Sequence, residues 1–237
     1  MQNNTIKPIL MIKGMLGVNI LFFAASLILT GKNIHLSINP FTALSPSTNV
    51  LIYLGASGTI PIEQYHQWWS LITANWLHGS LLHIIFNMIA LWHIGHIISA
   101  LYGMHRMFII YTLSGMAGFY LSWLAGISVT IGASASICGL LGASFYFGKS
   151  QGGVAGSVVS KMTSGWIFSL VIFGIAVPNI NNWGHGGGFA TGIFLGWILG
   201  YNERKKESSF HALISYLLMV STIAIVGWEI FSAFQIR

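Results

Sequence analysis

The chain has 237 residues, of which 54% are hydrophobic and only 6% charged, with a mean hydropathy of +0.74. Soluble domains carry about a quarter charged residues, so water is excluded as the solvent for most of this chain. The formal charge of +6 comes from ten Lys and Arg that stand singly or beside apolar runs, a pattern of membrane topology signals rather than of a nucleic-acid surface.

Seven apolar segments follow one another at approximately 8–30, 79–101, 107–127, 131–148, 163–180, 184–201 and 211–233. Each approaches the roughly 20 apolar residues that a membrane span requires. The first has Lys7 and Lys13 ahead of or within it, as a signal peptide would. It is long for such a segment and lacks a small-residue cleavage site, so it is expected to be a retained span. The segment 31–78 holds Pro40, Pro46 and Pro61 together with Tyr65, Trp68, Trp69 and Trp76. That aromatic content predicts a folded loop lying in the interface rather than a disordered linker. With the N-terminus inside, Lys7, Lys13, Arg106, Lys149, Lys161, Arg204, Lys205 and Lys206 fall on cytoplasmic segments, and only Lys32 and Arg237 fall outside. The positive-inside bias selects this orientation.

Polar groups inside a bilayer are costly, so their depth is informative. The fourth segment starts on the outer side and places Ser134 about one turn in. The sixth starts outside with His185 at its outer end, and the second carries His83 and Asn87 one and two turns in. These four groups are expected within roughly 5–12 Å of the outer surface. A hydroxyl and an imidazole at one level are the minimum for nucleophilic acyl transfer, the imidazole taking the hydroxyl proton and returning it to the leaving amine. The chain contains no Asp, and its four acidic residues are Glu63, Glu203, Glu207 and Glu229. A Ser–His–Asp triad is therefore excluded and a dyad of Ser134 and His185 is expected. The Ser134 backbone N–H, with His83 and Asn87 four apart on one helical face, could stabilise an oxyanion. Gly188, Gly192, Gly196 and Gly200 form one small-residue stripe and Ala135, Gly139 and Ala143 another. Such stripes let helices approach closely in lipid. If these two faces meet, Ser134 and His185 meet at their outer ends.

Together these strings resemble the rhomboid family over about residues 65–200. His78-Gly-Ser-Leu-Leu-His83-Ile-Ile-Phe-Asn87 resembles its H-x4-H-x3-N pattern, Gly132-Ala-Ser134-Ala its G-x-S-G motif, and Gly184-His185 with the following glycines its histidine motif. The resemblance implies an all-α membrane protein, a six-helix transmembrane bundle plus one additional C-terminal transmembrane helix. It also implies an intramembrane serine endopeptidase that cleaves single-span membrane proteins near the outer face, without metal or cofactor. Ser134 would be the nucleophile, His185 the base, His83 and Asn87 oxyanion support, and His78 a brace for the first loop. Three positions depart from the pattern: Ala135 stands for the glycine after the nucleophile, Cys138 for an aromatic residue, and Ser70 for the arginine of a Trp-Arg pair.

The expected organisation is a six-span core over 1–204, including the interfacial loop 31–78, followed by a linker and seventh helix over 205–237. The expected location is a bacterial cytoplasmic membrane with the N-terminus inside. Ser136, pointing away from Ser134, and Cys138, one turn below it, are expected to be packing residues. His93 and His96 make an H-x-x-H, too few ligands for a metal without acidic or further Cys neighbours. Two non-enzymatic readings compete: a rhomboid-like pseudoprotease that binds membrane proteins without cleaving them, and a transporter using the His residues. The transporter is disfavoured on the expectation that the spans lack carboxylates for ion coupling. Substrate identity and oligomeric state are left open by the residues.

Overall fold

The computed structural model describes residues 3–177 and 180–235. Arg237 and the side chain of Lys7, two cations used to orient the chain, lie outside the described part. The fold is all-α, with nine helices and no extended strand among the described residues. In chain order they are α1 (Asn3–Thr30), α2 (Thr48–Tyr53), α3 (Ser70–Thr73), α4 (Leu81–Tyr102), α5 (Met104–Leu124), α6 (Ser134–Gln151), α7 (Gly153–Ala176), α8 (Asn182–Leu199) and α9 (Ser209–Gln235).

The seven long helices occupy the seven apolar segments. Five of them, within α1, α4, α5, α7 and α9, are long and apolar enough to cross a membrane on length and composition. The other two, α6 and α8, have 18 residues each, about 27 Å of helix and close to the thickness of a hydrocarbon core. They are glycine-rich and form the packed centre, where α6 makes its largest contact with α8 and further contacts with α5 and α7. Their reduced apolarity follows from that position, since these helices face protein rather than lipid.

Two boundaries differ from the sequence expectation. The fifth span starts ten residues early, at Gly153, so that Lys161 lies inside α7 instead of on a connecting loop. A single residue, Gly152 at φ +66, turns the chain between α6 and α7, and glycine adopts that conformation without the penalty of a side chain. The fourth span, α6, begins at Ser134 itself rather than three residues before it. Gly132 sits at φ +122, which no helix can accommodate, so Ser134 is the first helical residue instead of lying a turn deeper.

The segment 31–78 is folded, as its aromatic content predicts. Ser47 caps α2 by accepting from Val50 N–H, and Thr73 Oγ1 donates to the Gly55 carbonyl at 2.6 Å. A π-turn at Ile60–Gln64 and a 3-10 turn at Ala74–Trp76 complete the loop. The loop is fastened to the start of α6 by the Gly132 N–H, which donates to the Ala74 carbonyl at 2.8 Å. It is fastened to the end of α5 by the Trp123 indole N–H, which donates to Glu63 Oε1 at 3.0 Å.

The opposite end is closed by Arg106, which the sequence marks only as a topology signal. Its side chain is buried and its Nη1 donates to the carbonyls of Leu199, Gly200 and Lys205, its Nη2 to Asn202 Oδ1. Those acceptors include carbonyls at the C-terminus of α8, which have no partner inside their own helix. One guanidinium therefore caps α8 and holds the turn leading to α9, with Glu207 accepting from the Arg106 N–H at 2.9 Å.

α7 is the least embedded long helix, with only Gly156 and Thr163 buried. It leans on α6 and reaches α4 through Phe173, whose ring meets that of Phe86 edge-on at 5.6 Å. α9 packs against α5 and touches α1 and α3. It also corrects an expectation: Glu229, within the seventh span, is a buried carboxylate with 5% of its surface exposed.

Candidate active site

The site is built where the N-termini of α6 and α8 meet. Adding a side chain to Gly188 would drive its Cβ into the Ala135 carbonyl, and at Gly192 into the Gly139 carbonyl. At Gly142 the obstacle is the Phe189 carbonyl, and at Gly139 the Ser114 side chain. The two small stripes read from the sequence do face each other, and α6 and α8 are in backbone contact along them. Close approach in lipid depends on such small residues because apolar burial supplies little drive there.

This contact brings His185 Nε2 to 2.8 Å from Ser134 Oγ, a good hydrogen-bond distance. The hydroxyl donates when the His185 proton is on Nδ1, the tautomer in which Nε2 can accept. Both side chains are half-buried. Since Ser134 opens α6, its backbone N–H is among the first four of a helix and has no intrahelical acceptor. The sequence placed this residue a turn too deep, which would have consumed that donor.

His83 borders the same space. Its Nδ1 accepts from the Gly79 N–H at 3.4 Å, leaving the ring proton on Nε2. A Cβ on Gly132 would lie 2.7 Å from that Nε2 and 3.7 Å from Ser134 Oγ. The Nε2–H therefore points at the turn that precedes the serine, and only glycine leaves room for it. Asn87, expected as a second donor, is turned back: its Nδ2 donates to the His83 carbonyl at 2.8 Å. One amide hydrogen is thus engaged within α4, and the other is free for a further partner. His78 is fully buried and its ring stacks edge-on against His83 at 4.9 Å and 67°. Burial, and then the charge His83 would carry, push its imidazole well below the usual histidine range, so it is a neutral wedge between loop and α4.

Four polar residues escaped the sequence reading. Asn181 caps α8, its Oδ1 accepting from the Gly184 N–H at 3.0 Å. Its Nδ2 donates to Ser122 Oγ at 2.7 Å and Thr130 Oγ1 at 2.8 Å. The cap sets where α8 begins and hence the height of His185, whose N–H bonds to the Asn181 carbonyl at 3.2 Å. The available signal was an Asn just ahead of an apolar helix, a cap preference. Asn75 is buried on the 3-10 turn and accepts from Ser136 Oγ at 2.6 Å, while its Nδ2 donates to the Leu71 carbonyl. Ser136 is thus packed as expected, and more: it ties the first turn of α6 to the loop.

Two of the three departures find local explanations, and nothing in the structure explains Cys138. Ala135 faces Gly118 of α5, where an added Cβ would already lie 3.0 Å from the Ala135 methyl. The methyl gained on α6 is matched by a side chain absent on α5. Ser70 is buried and donates to Ser57 Oγ at 3.2 Å, a neutral pair inside the loop. Cys138 is buried one turn below Ser134. Away from the site, His96 Nδ1 donates to the Trp92 carbonyl at 2.6 Å, so it is engaged on its own helix.

Comparison with known proteins identifies the family. The Rhomboid domain family model matches residues 65–202, more than half of the chain. Rhomboid protease GluP of Bacillus subtilis is 35% identical over 178 residues, covering 75% of this chain and 34% of its own length. RHOMBOID-like protein 5 of Arabidopsis thaliana is 29% identical over 217 residues, covering 77% of this chain and 65% of that protein. A further relative, Inactive RHOMBOID-like protein 8 of the same plant, is 29% identical over 158 residues, covering 66% of this chain and 44% of that protein. The chain thus spans between about a third and two thirds of the length of these relatives. On the matched domain and the helical bundle that carries it, this chain is an integral membrane protein belonging to the rhomboid family.

Proposed function

We propose that the protein is an intramembrane serine endopeptidase acting through a Ser134–His185 dyad on single-span membrane proteins. The observation that carries this reading is the 2.8 Å contact between Ser134 Oγ and His185 Nε2 at the meeting of two helix N-termini. Ser134 Oγ attacks the scissile carbonyl carbon as its proton passes to His185 Nε2, giving a tetrahedral oxyanion. Collapse breaks the C–N bond, and the imidazolium returns that proton to the leaving amine. Water, activated by the same imidazole, then hydrolyses the acyl-enzyme and frees Ser134. The Ser134 N–H and His83 Nε2–H are the donors for the oxyanion, each contributing on the order of 10²–10³ in rate. Among the described residues no carboxylate orients His185; the α8 cap and the α6–α8 contact hold the ring instead.

The inferred orientation places this end of the bundle on the outer side of a bacterial cytoplasmic membrane, with the N-terminus inside. The sparsely packed α7 and its Phe173–Phe86 contact with α4 make that seam the easiest lateral path for a substrate helix. In lipid, purified protein is expected to cleave a single-span reporter. Ser134→Ala and His185→Ala should each abolish cleavage while retaining the wild-type thermal midpoint. Cleavage surviving Ser134→Ala would sink the reading.

A second reading, a pseudoprotease that binds without cleaving, is favoured by the relative that is named inactive. It predicts no turnover of any reporter, together with crosslinking to membrane proteins that does not depend on Ser134.

A further inference from the structure

Among the described residues, Glu229 is the only Asp or Glu within the seven long helices. Its burial at 5% exposure places a carboxylate inside α9, where ionisable groups are costly and mark function by default. It lines a groove of about 330 Å³ together with Trp69, Ala224, Ile225 and Trp228. The Trp69 indole lines the groove beside the carboxylate. A carboxylate has about four acceptor positions, and Ala224 and Ile225, which also line the groove, have apolar side chains that offer it no donor. Trp69 and Trp228 are substantially exposed, at 40% and 65%, and present indole rings beside it. A buried carboxyl group flanked by indole rings is the chemistry that receives an ammonium, which supplies the countercharge by ion pairing while the rings add cation–π attraction.

The position argues for the source of that ammonium. Glu229 lies six residues before the end of α9, about 9 Å below it, at the same end of the bundle as Trp69 and Ser134. The outward face of α9 is apolar, with Leu213, Leu217, Val220, Ile223 and Trp228 all exposed, so lipid covers the mouth of the groove. α9 packs on the α1, α3 and α5 side, whereas Ser134 and His185 lie between α6 and α8. A substrate at the dyad is therefore separated from the groove by α5.

We propose that this groove binds the primary ammonium headgroup of an amino phospholipid such as phosphatidylethanolamine, in the leaflet at the Ser134 end. The site is independent of the catalytic reading. Trp69 stands immediately before α3, and the turn after α3 carries the Ala74 carbonyl that holds Gly132. A lipid bound here also braces the loop above the site.

The test is lipid retention by native mass spectrometry after reconstitution in equal phosphatidylethanolamine, phosphatidylcholine and phosphatidylglycerol. Wild type and Ser134→Ala should both retain phosphatidylethanolamine in preference to the other two lipids. Glu229→Gln removes the charge; it should lower that retention about tenfold. Trp228→Ala should lower it several-fold, and Trp228→Phe should restore most of it. Equal retention by Glu229→Gln, or no preference among the lipids, would overturn the proposal. Equally contrary would be competition by soluble glycerophosphoethanolamine, which would move the occupant out of the membrane. A loss confined to cleavage of substrates bearing a flanking lysine would assign the groove to substrate instead. Thermal midpoints within a few degrees of wild type show that each variant is folded.

Discussion

Gly188→Ala isolates the contact on which the candidate site depends. The added methyl would meet the Ala135 carbonyl, with the Ala135 Cα also only 3.3 Å away. Both are backbone atoms of α6 and have no rotamer to escape into. Restoring an ordinary C···O approach of about 3.3 Å requires the helices to part by roughly 1 Å. Because the clash is beside Ser134, the parting adds directly to the 2.8 Å between Ser134 Oγ and His185 Nε2. At about 3.8 Å the pair is no longer hydrogen-bonded. Misplacement on this scale costs about 10²-fold in rate, whereas overpacking costs only about 1–3 kcal/mol in stability. The assay is reporter cleavage in proteoliposomes beside thermal unfolding of the same preparation. Gly17→Ala is the matched control, since nothing lies within 4 Å of its added Cβ. A Gly188→Ala protein that cleaves at the wild-type rate would refute the idea that backbone contact sets the dyad.

Other perturbations separate the parts of the site. His83→Ala should lower kcat about 10²-fold with KM little changed, and Asn87→Ala should cost less because its amide is already partly engaged with the His83 carbonyl; single-turnover kinetics would check both. Asn181→Ala removes a helix cap and two buried donations. It should lower stability by about 1–2 kcal/mol, with a parallel fall in kcat, read by unfolding and cleavage. Arg106→Met leaves several carbonyls at the end of α8 unpaired. It should cost about 3 kcal/mol, seen as a lowered thermal midpoint. His78 titrates far below the usual histidine range in the folded chain, so the unfolded chain binds its proton first. Stability should therefore fall as pH drops below about 6.5, by at most ~1.4 kcal/mol per pH unit from this group. His78→Gln should flatten that slope in unfolding measured across pH.

The sequence reading reached the bundle and the meeting of Ser134 with His185 because both rest on regular periodicities. Apolar length marks a span, and small residues every fourth position mark the face that approaches another helix. Features set by irregular backbone were less legible. The start of α6 was misplaced because hydropathy runs smoothly through Ile131 and Ala133, while the left-handed conformation at Gly132 ends any helix there. Asn75 and Asn181 act through loop geometry that has no period, although the cap preference of Asn181 was available to be read. Arg106 and Glu229 were hidden for a different reason. A charge in an apolar sequence gives no sign of whether it faces water or a buried acceptor. For Arg106 the acceptors are nearly a hundred residues away.

The central claim is that His185 makes Ser134 a nucleophile, and a fluorophosphonate added to the protein in lipid tests it without requiring the natural substrate. Mass spectrometry should locate one phosphonyl adduct on Ser134, lost in His185→Ala and retained in Cys138→Ala. No adduct on the folded wild-type protein, or an adduct on Ser136 that persists without His185, would contradict it.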